Sequence, residues 1–268
     1  MASTVNELVE KIKTHRTYSH PFFHNWARVK PDAQVVGALF HQIQNFCAST
    51  RPGGAFPGAL KDHGLLKQSQ LLNEIVESED GHGPELATMA GYVVNQAAGK
   101  PVCRDVYDQQ AVEAQLKEFS DQIFGGVAGY EQATGLTPQT RRAIGVFDYR
   151  SRSDLSSTYR NLGTALALEI ISNRHLIPGE KHCLIDSKLY RADLQTPEMH
   201  YLLEHWGEVG AEQQHEKNAI EAVASAFDDR TYAQSAVTGA EDFLDSLGAF
   251  WDSLDSALIQ PRQHTVAV

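Results

Sequence analysis

Apolar residues recur at three- and four-residue spacing along most of the chain, the pattern of helices that each bury one face. The repeat runs through residues 5–15, 33–49, 65–79, 84–96, 110–123 and 155–173, and again through 197–227 and 240–259. No sustained alternation of β-branched and polar residues interrupts it, so strands are not expected. Thr137-Pro138 and Thr196-Pro197 each set a capping hydroxyl before a proline suited to the first helical position. The glycine- and proline-rich stretches 51–58 and 81–84 read as breaks, and 177–194 as the longest irregular segment. Loops of that length in a compact domain are often functional. The pattern predicts an all-α, single-domain fold of seven to nine helices over residues 1–259, with 260–268 a flexible C-terminal tail.

Composition narrows the partners. The chain is 42% hydrophobic and 21% charged, ordinary values for a globular protein, and carries a formal net charge of −11. That charge argues against a nucleic-acid groove or an anionic membrane surface as the main partner. Arg141–Arg142 and Arg150–Arg152 are the only small basic clusters and are expected in salt bridges at helix ends. Cys47, Cys103 and Cys183 are widely separated and form no C-x-x-C pair, which reads as reduced thiols in the cytoplasm. The N-terminal segment is amphipathic and charged, and no run approaches the roughly 18 apolar residues of a membrane span, so no membrane insertion is expected.

Three segments carry candidate chemistry. On a continuous helix, Glu208, Glu212 and His215 would fall within an arc of about 60°, with His205 and Tyr201 extending the stripe. Two carboxylates on one face repel unless a cation or proton lies between them, and a divalent metal resolves that repulsion. An exposed, salt-bridged face is the competing reading, but Lys217 is the first lysine available to it. Glu169 sits in the most apolar run of the chain, so its carboxylate is expected to point into the core, as a ligand or in a buried salt bridge with Arg160 or Arg174. Glu79 and His82 form an E-x-x-H at a helix end. Glu77 competes with Glu79, since only one of the two can face inward, and solvated surface is the bland alternative. His41 and His205 are further alternates.

Taken in order, these segments resemble the haem-oxygenase-like metal oxidase superfamily. That superfamily includes the CADD-like proteins, the fatty-acid decarboxylase that forms terminal alkenes, and N-oxygenases of amino-acid side chains. His20-Pro21-Phe22-Phe23 with Trp26 looks like the family's opening HPF segment. The stretch 71–83 looks like its acidic helix with a nearby His, and Glu169 like its isolated central glutamate. Glu208, Glu212 and His215 look like its late helix, which usually reads His-x-x-x-Asp-x-x-His; here Glu208 stands at the first position, with His205 one turn earlier.

The resemblance implies a haem-oxygenase-like bundle holding two Fe(II) ions, with O2 as co-substrate. Glu79, His82 and Glu169 would hold one iron and Glu208, Glu212 and His215 the second, and Tyr201 would line the substrate pocket. The implied function is a non-haem di-iron oxidase or oxygenase acting on a small carboxylate or acyl chain. Rival readings are a thiaminase-like or cofactorless enzyme of the same fold, with Cys47 as its nucleophile, and a non-catalytic helical interaction protein. Haem binding through His24 and self-modification at Tyr18 or Tyr201 are weaker options. A homodimer is left open.

Overall fold

The computed structural model describes residues 4–51, 55–79, 82–206, 211–227 and 230–259. The expected tail, 260–268, and Glu208 both lie outside the described residues. Helices α1 (Val5–Thr14) and α2 (Phe22–Val29) lead into the long α3 (Ala33–Thr50). Then come α4 (Ala55–Asp62), α5 (Leu66–Ser78), α6 (His82–Ala98), α7 (Gln109–Phe124) and α8 (Pro138–Gly145). They are followed by α9 (Leu155–Ile171), the short α10 (Ile177–Lys181), α11 (His200–His205), α12 (Ala211–Ala226) and α13 (Arg230–Ile259). Among the described residues the fold is all-α and built on one core that runs from Leu8 to Leu258. Eleven of its helices have eight residues or more, slightly above the seven to nine expected. The excess comes from short helices that periodicity over a long window does not resolve, such as α2, α4 and α8.

Helix starts follow local chemistry. Asp32, Asp108, Thr137 and Asp154 each cap a helix by accepting a backbone N–H with the side chain. Thr196 does not. Its hydroxyl accepts from the N–H of Asp193, and Pro197–Met199 forms only a 3-10 turn. The basic cluster also departs from expectation: Arg150 donates to the carbonyls of Ser49, Thr50 and Arg51, closing the end of α3, rather than entering a salt bridge.

Two expected boundaries are corrected. The segment expected to be irregular from residue 177 is helical as far as Asp186, because α9 continues through a π-helical stretch (Ser172–Leu176), α10 and a second one (His182–Asp186). Pro178 would ordinarily crowd the carbonyl four residues back. The wider π turn relieves this, and the Ile177 N–H reaches the Ser172 carbonyl, five residues back. In contrast, the single helix expected over 197–227 is broken. Trp206 takes extended dihedrals after α11, and a new helix begins at Ala211.

Helix α9 is the axis of the molecule. Almost all of it from Ser157 to Ile171 is buried, with α13, α12 and α4 packed around it. Its crossing with α13 depends on two glycines. A Cβ on Gly163 would lie 1.8 Å from the Ala236 carbonyl oxygen, and one on Gly239 2.0 Å from that of Arg160. The N-terminal His20-Pro21-Phe22 segment buries Phe22, Phe23 and Trp26 beside Trp251, and Trp26 donates to the Tyr190 hydroxyl at 2.8 Å. It is a structural anchor. Gly163→Ala is expected to cost about 1–3 kcal/mol by forcing the two helices apart. Thermal denaturation checks this, and an unchanged melting temperature would contradict so close a crossing.

Candidate metal centre

Four chain segments bring ligand-type side chains to one point. Glu79 is the C-terminal cap of α5 and His82 opens α6. Glu169 projects from α9 just before the π stretch. His205 closes α11, and Glu212 and His215 lie in the first turns of α12. The cluster thus holds three carboxylates and three imidazoles. All are buried except the half-buried Glu79. Two triads have ligand atoms within 4.8 Å of one another, Glu79/His82/His205 and Glu79/Glu212/His215, and Glu79 belongs to both.

Hydrogen bonds set which nitrogen of each histidine faces inward. The Ser78 hydroxyl donates its one proton to the Ile75 carbonyl at 2.9 Å. Toward His215 Nε2, at 2.5 Å, it therefore accepts, which puts the imidazole proton on Nε2. Burial pushes the His215 pKa down to about 4, so the ring is neutral near pH 7. Its Nδ1 lone pair then faces Glu79 Oε1 and Glu169 Oε2, each 3.6 Å away. His205 follows the same logic: Nδ1 donates to the Tyr201 carbonyl at 2.7 Å, turning Nε2 toward Glu79 Oε1 and Glu212 Oε1, both at 3.8 Å. Fixing one imidazole nitrogen in this way so that the other is free for a metal is the usual arrangement around metal-bound histidines.

The carboxylates divide. Burial, then the Glu79 charge, pushes Glu169 up to about 8, with Arg150 opposing. Burial, followed by Glu169 and Glu79, raises Glu212 well above its ordinary value, and its Oε2 has no hydrogen-bond partner among the described residues. Burial would raise Glu79 as well, but the His205 and His82 imidazoles outweigh it and hold the carboxyl below its usual range. The expected salt bridge to Glu169 is absent among the described residues: Arg160 pairs with Asp242 and Arg174 with Glu216. Three carboxylates therefore converge with no lysine or arginine ion pair among the described residues, relieved by protonation of Glu169 and Glu212 and by the imidazoles beside Glu79. Such a donor set fits a divalent metal ion.

Sequence reasoning found most of this cluster. Glu79, His82, Glu169, Glu212 and His215 come together as expected, and His205, held only as an alternate, joins them. The grouping differs: Glu169 stands beside His215, and His205 beside Glu79 and His82. Glu77 is exposed and accepts from Asn73, and His41 is spent on the Thr134 carbonyl at 2.9 Å, so neither belongs to the cluster. His24 stacks on His182 and, like Tyr18, does not line the cavity. Tyr201 does line it, as does Cys47, whose thiol burial pushes far up and keeps protonated. The cavity measures about 50 Å³ and is closed on its apolar side by Ile75, Leu86, Leu168 and Leu176. Space on that scale takes ions and a few water-sized molecules, not an organic substrate. Arg51 and Leu86 also line a polar pocket of about 560 Å³ next to it, with Gln44, Asn45, Gln109 and Lys117. Ser78 and Arg51 were not anticipated; the position of Ser78 next to Glu79 was the available signal.

No family model, curated protein or solved structure matches the chain in comparisons with known proteins. Among the described residues, no helix is long and apolar enough to cross a membrane.

A fourth carboxylate, Glu180 on α10, is buried with neither oxygen hydrogen-bonded among the described residues, and its charge bears on Glu212 and Tyr201. Burial raises it from 4.5 to about 8. Between those values the folded chain keeps a proton that the unfolded chain has released, so this group's contribution makes stability fall as pH rises through the window, levelling above about 8. Glu180→Gln removes that dependence. The variant is expected to match the parent near pH 5 and to exceed it near pH 8, by an amount on the order of 1.4 kcal/mol per pH unit crossed at most. Paired melting curves across that range check it; a difference independent of pH would contradict it.

Proposed function

We propose that this chain is a non-haem di-iron, O2-activating oxidase or oxygenase of the haem-oxygenase-like kind, acting on a small carboxylate. The observation that carries the reading is His215 Nδ1, facing two carboxylates that form no ion pair with lysine or arginine among the described residues, while Nε2 is engaged by Ser78. Glu79, His82 and His205 would hold one ion and Glu169, Glu212 and His215 the other, with Glu79 positioned to serve both. Mixed carboxylate and imidazole donors suit Fe(II), which when bound supplies electrons and Lewis acidity for work on dioxygen. The chain's own part is to orient and to shield. Ser78 and the Tyr201 carbonyl aim the two imidazoles, while Ile75, Leu86, Leu168 and Leu176 keep bulk water from the cavity.

The substrate would approach through the polar pocket. Arg51, on the border of both spaces, and Lys117 offer cationic groups to a carboxylate, while Ala48, Pro84, Leu86 and Ala114 give the pocket an apolar share as well. The thiaminase-like alternative loses support because Cys47, its nucleophile, is held as the thiol. The interaction-protein alternative requires solvated acidic faces, whereas Glu169 and Glu212 are buried.

Anaerobic Fe(II) titration is expected to reach two irons per chain, with a transient visible absorption on exposure to O2. Glu212→Ala and His215→Ala should each weaken iron binding by at least about tenfold. Absence of iron binding by the parent, or binding that ignores both substitutions, would overturn the reading.

A further inference from the structure

The ring of His82 has two sides, and only one belongs to the buried centre. Nδ1 faces Glu79 Oε2 at 3.1 Å. Nε2 points the other way, to Glu204 Oε2 at 3.3 Å. Glu204 in turn lies 3.5 Å from His200 Nε2, and His200 Nδ1 lies 3.2 Å from Glu85 Oε1. Carboxylate and imidazole thus alternate from Glu85 through His200, Glu204 and His82 to Glu79. The outer members reach solvent: the His200 side chain is 50% exposed, against 8% for His82. His82, Glu85 and Glu204 present ligand atoms within 4.8 Å of one another, and Glu85 Oε2 is a buried oxygen without a hydrogen-bond partner among the described residues. The ion pairs of Glu85 and Glu204 are with histidines, not with lysine or arginine, among the described residues.

The two helices that build the outer cluster also each supply a histidine to the buried centre. Glu85 follows His82 by one turn on α6, and Glu204 precedes His205 on α11. A divalent ion entering the narrow cavity must exchange its water for protein donors, and the path runs past His82 and Leu86. The outer carboxylates and His82 Nε2 offer replacement donors at the surface.

We propose that His82, Glu85 and Glu204, with His200 at the rim, form an outer divalent-cation site through which Fe(II) passes into the buried centre. The proposal rests on the di-iron reading for its destination. His82 is the shared element, binding outward through Nε2 during entry and inward through Nδ1 once the ion has moved.

Stopped-flow mixing of the metal-free full chain with Co(II) or Fe(II), without oxygen, separates the two claims. The Glu85→Gln/Glu204→Gln double variant is expected to reach the parent's final two ions per chain but at least about tenfold more slowly. Glu204→Asp, which restores a carboxylate, should recover part of the rate. In a His215→Ala background, a weak Co(II) site should persist and vanish when Glu85→Gln and Glu204→Gln are added. An unchanged loading rate in a folded double variant overturns the outer site while leaving the buried centre standing. A final count below two in that variant also overturns it, by making these residues permanent ligands. Absence of metal uptake by the parent overturns the di-iron reading itself, and the entry site with it.

Discussion

The structure depends on one electrostatic constraint: three carboxylates and the inward nitrogens of His205 and His215 share a small space that admits few waters. Each would be tolerable at the surface. In the interior each must find a proton or a cation, and the arginines nearest in sequence are committed elsewhere, Arg160 to Asp242 and Arg174 to Glu216. In the metal-free chain, protons on Glu169 and Glu212 are the available remedy, which is why both carboxyls are driven up. Two divalent ions would meet the same need, since five of the donors line one cavity and His215 Nδ1 faces two of them, Glu79 and Glu169.

Holding that arrangement falls to the helix framework. Glu169 stands on the most deeply buried helix, whose depth follows from the glycine-mediated crossing with α13. The other five donors come from helix ends, where a side chain can turn inward without the steric regularity of a helix interior. The π stretch begins at Ser172, three residues after Glu169, and Ser172 and Leu176 line the cavity. Irregularities of this kind cost backbone hydrogen-bond quality and occur often at functional sites.

Much of this was legible in the residues. Helical periodicity marked the long elements, and spacing selected Glu212 and His215 together. The apolar surroundings of Glu169 marked it as a carboxylate in the core. What periodicity does not register is where a helix ends. Treating 197–227 as one helix placed His205 on a stripe with Glu208; in fact α11 stops, and His205 reaches Glu79 and Glu212 from a separate element. Pro178 signalled a loop because proline is ordinarily disruptive, and the accommodating π turn leaves no pattern in hydrophobicity. Ser78 was equally silent, because its role depends on its hydroxyl bridging the Ile75 carbonyl and an imidazole from a helix more than a hundred residues away. Of the expected ligands, Glu208 alone lies outside the described residues.

The central claim concerns where metal sits, and anomalous diffraction at the iron edge from crystals loaded anaerobically with Fe(II) tests it most directly. Two peaks are expected within the cluster, one beside Glu79, His82 and His205 and one beside Glu169, Glu212 and His215. A loaded crystal with no iron peak among these six side chains would contradict the account.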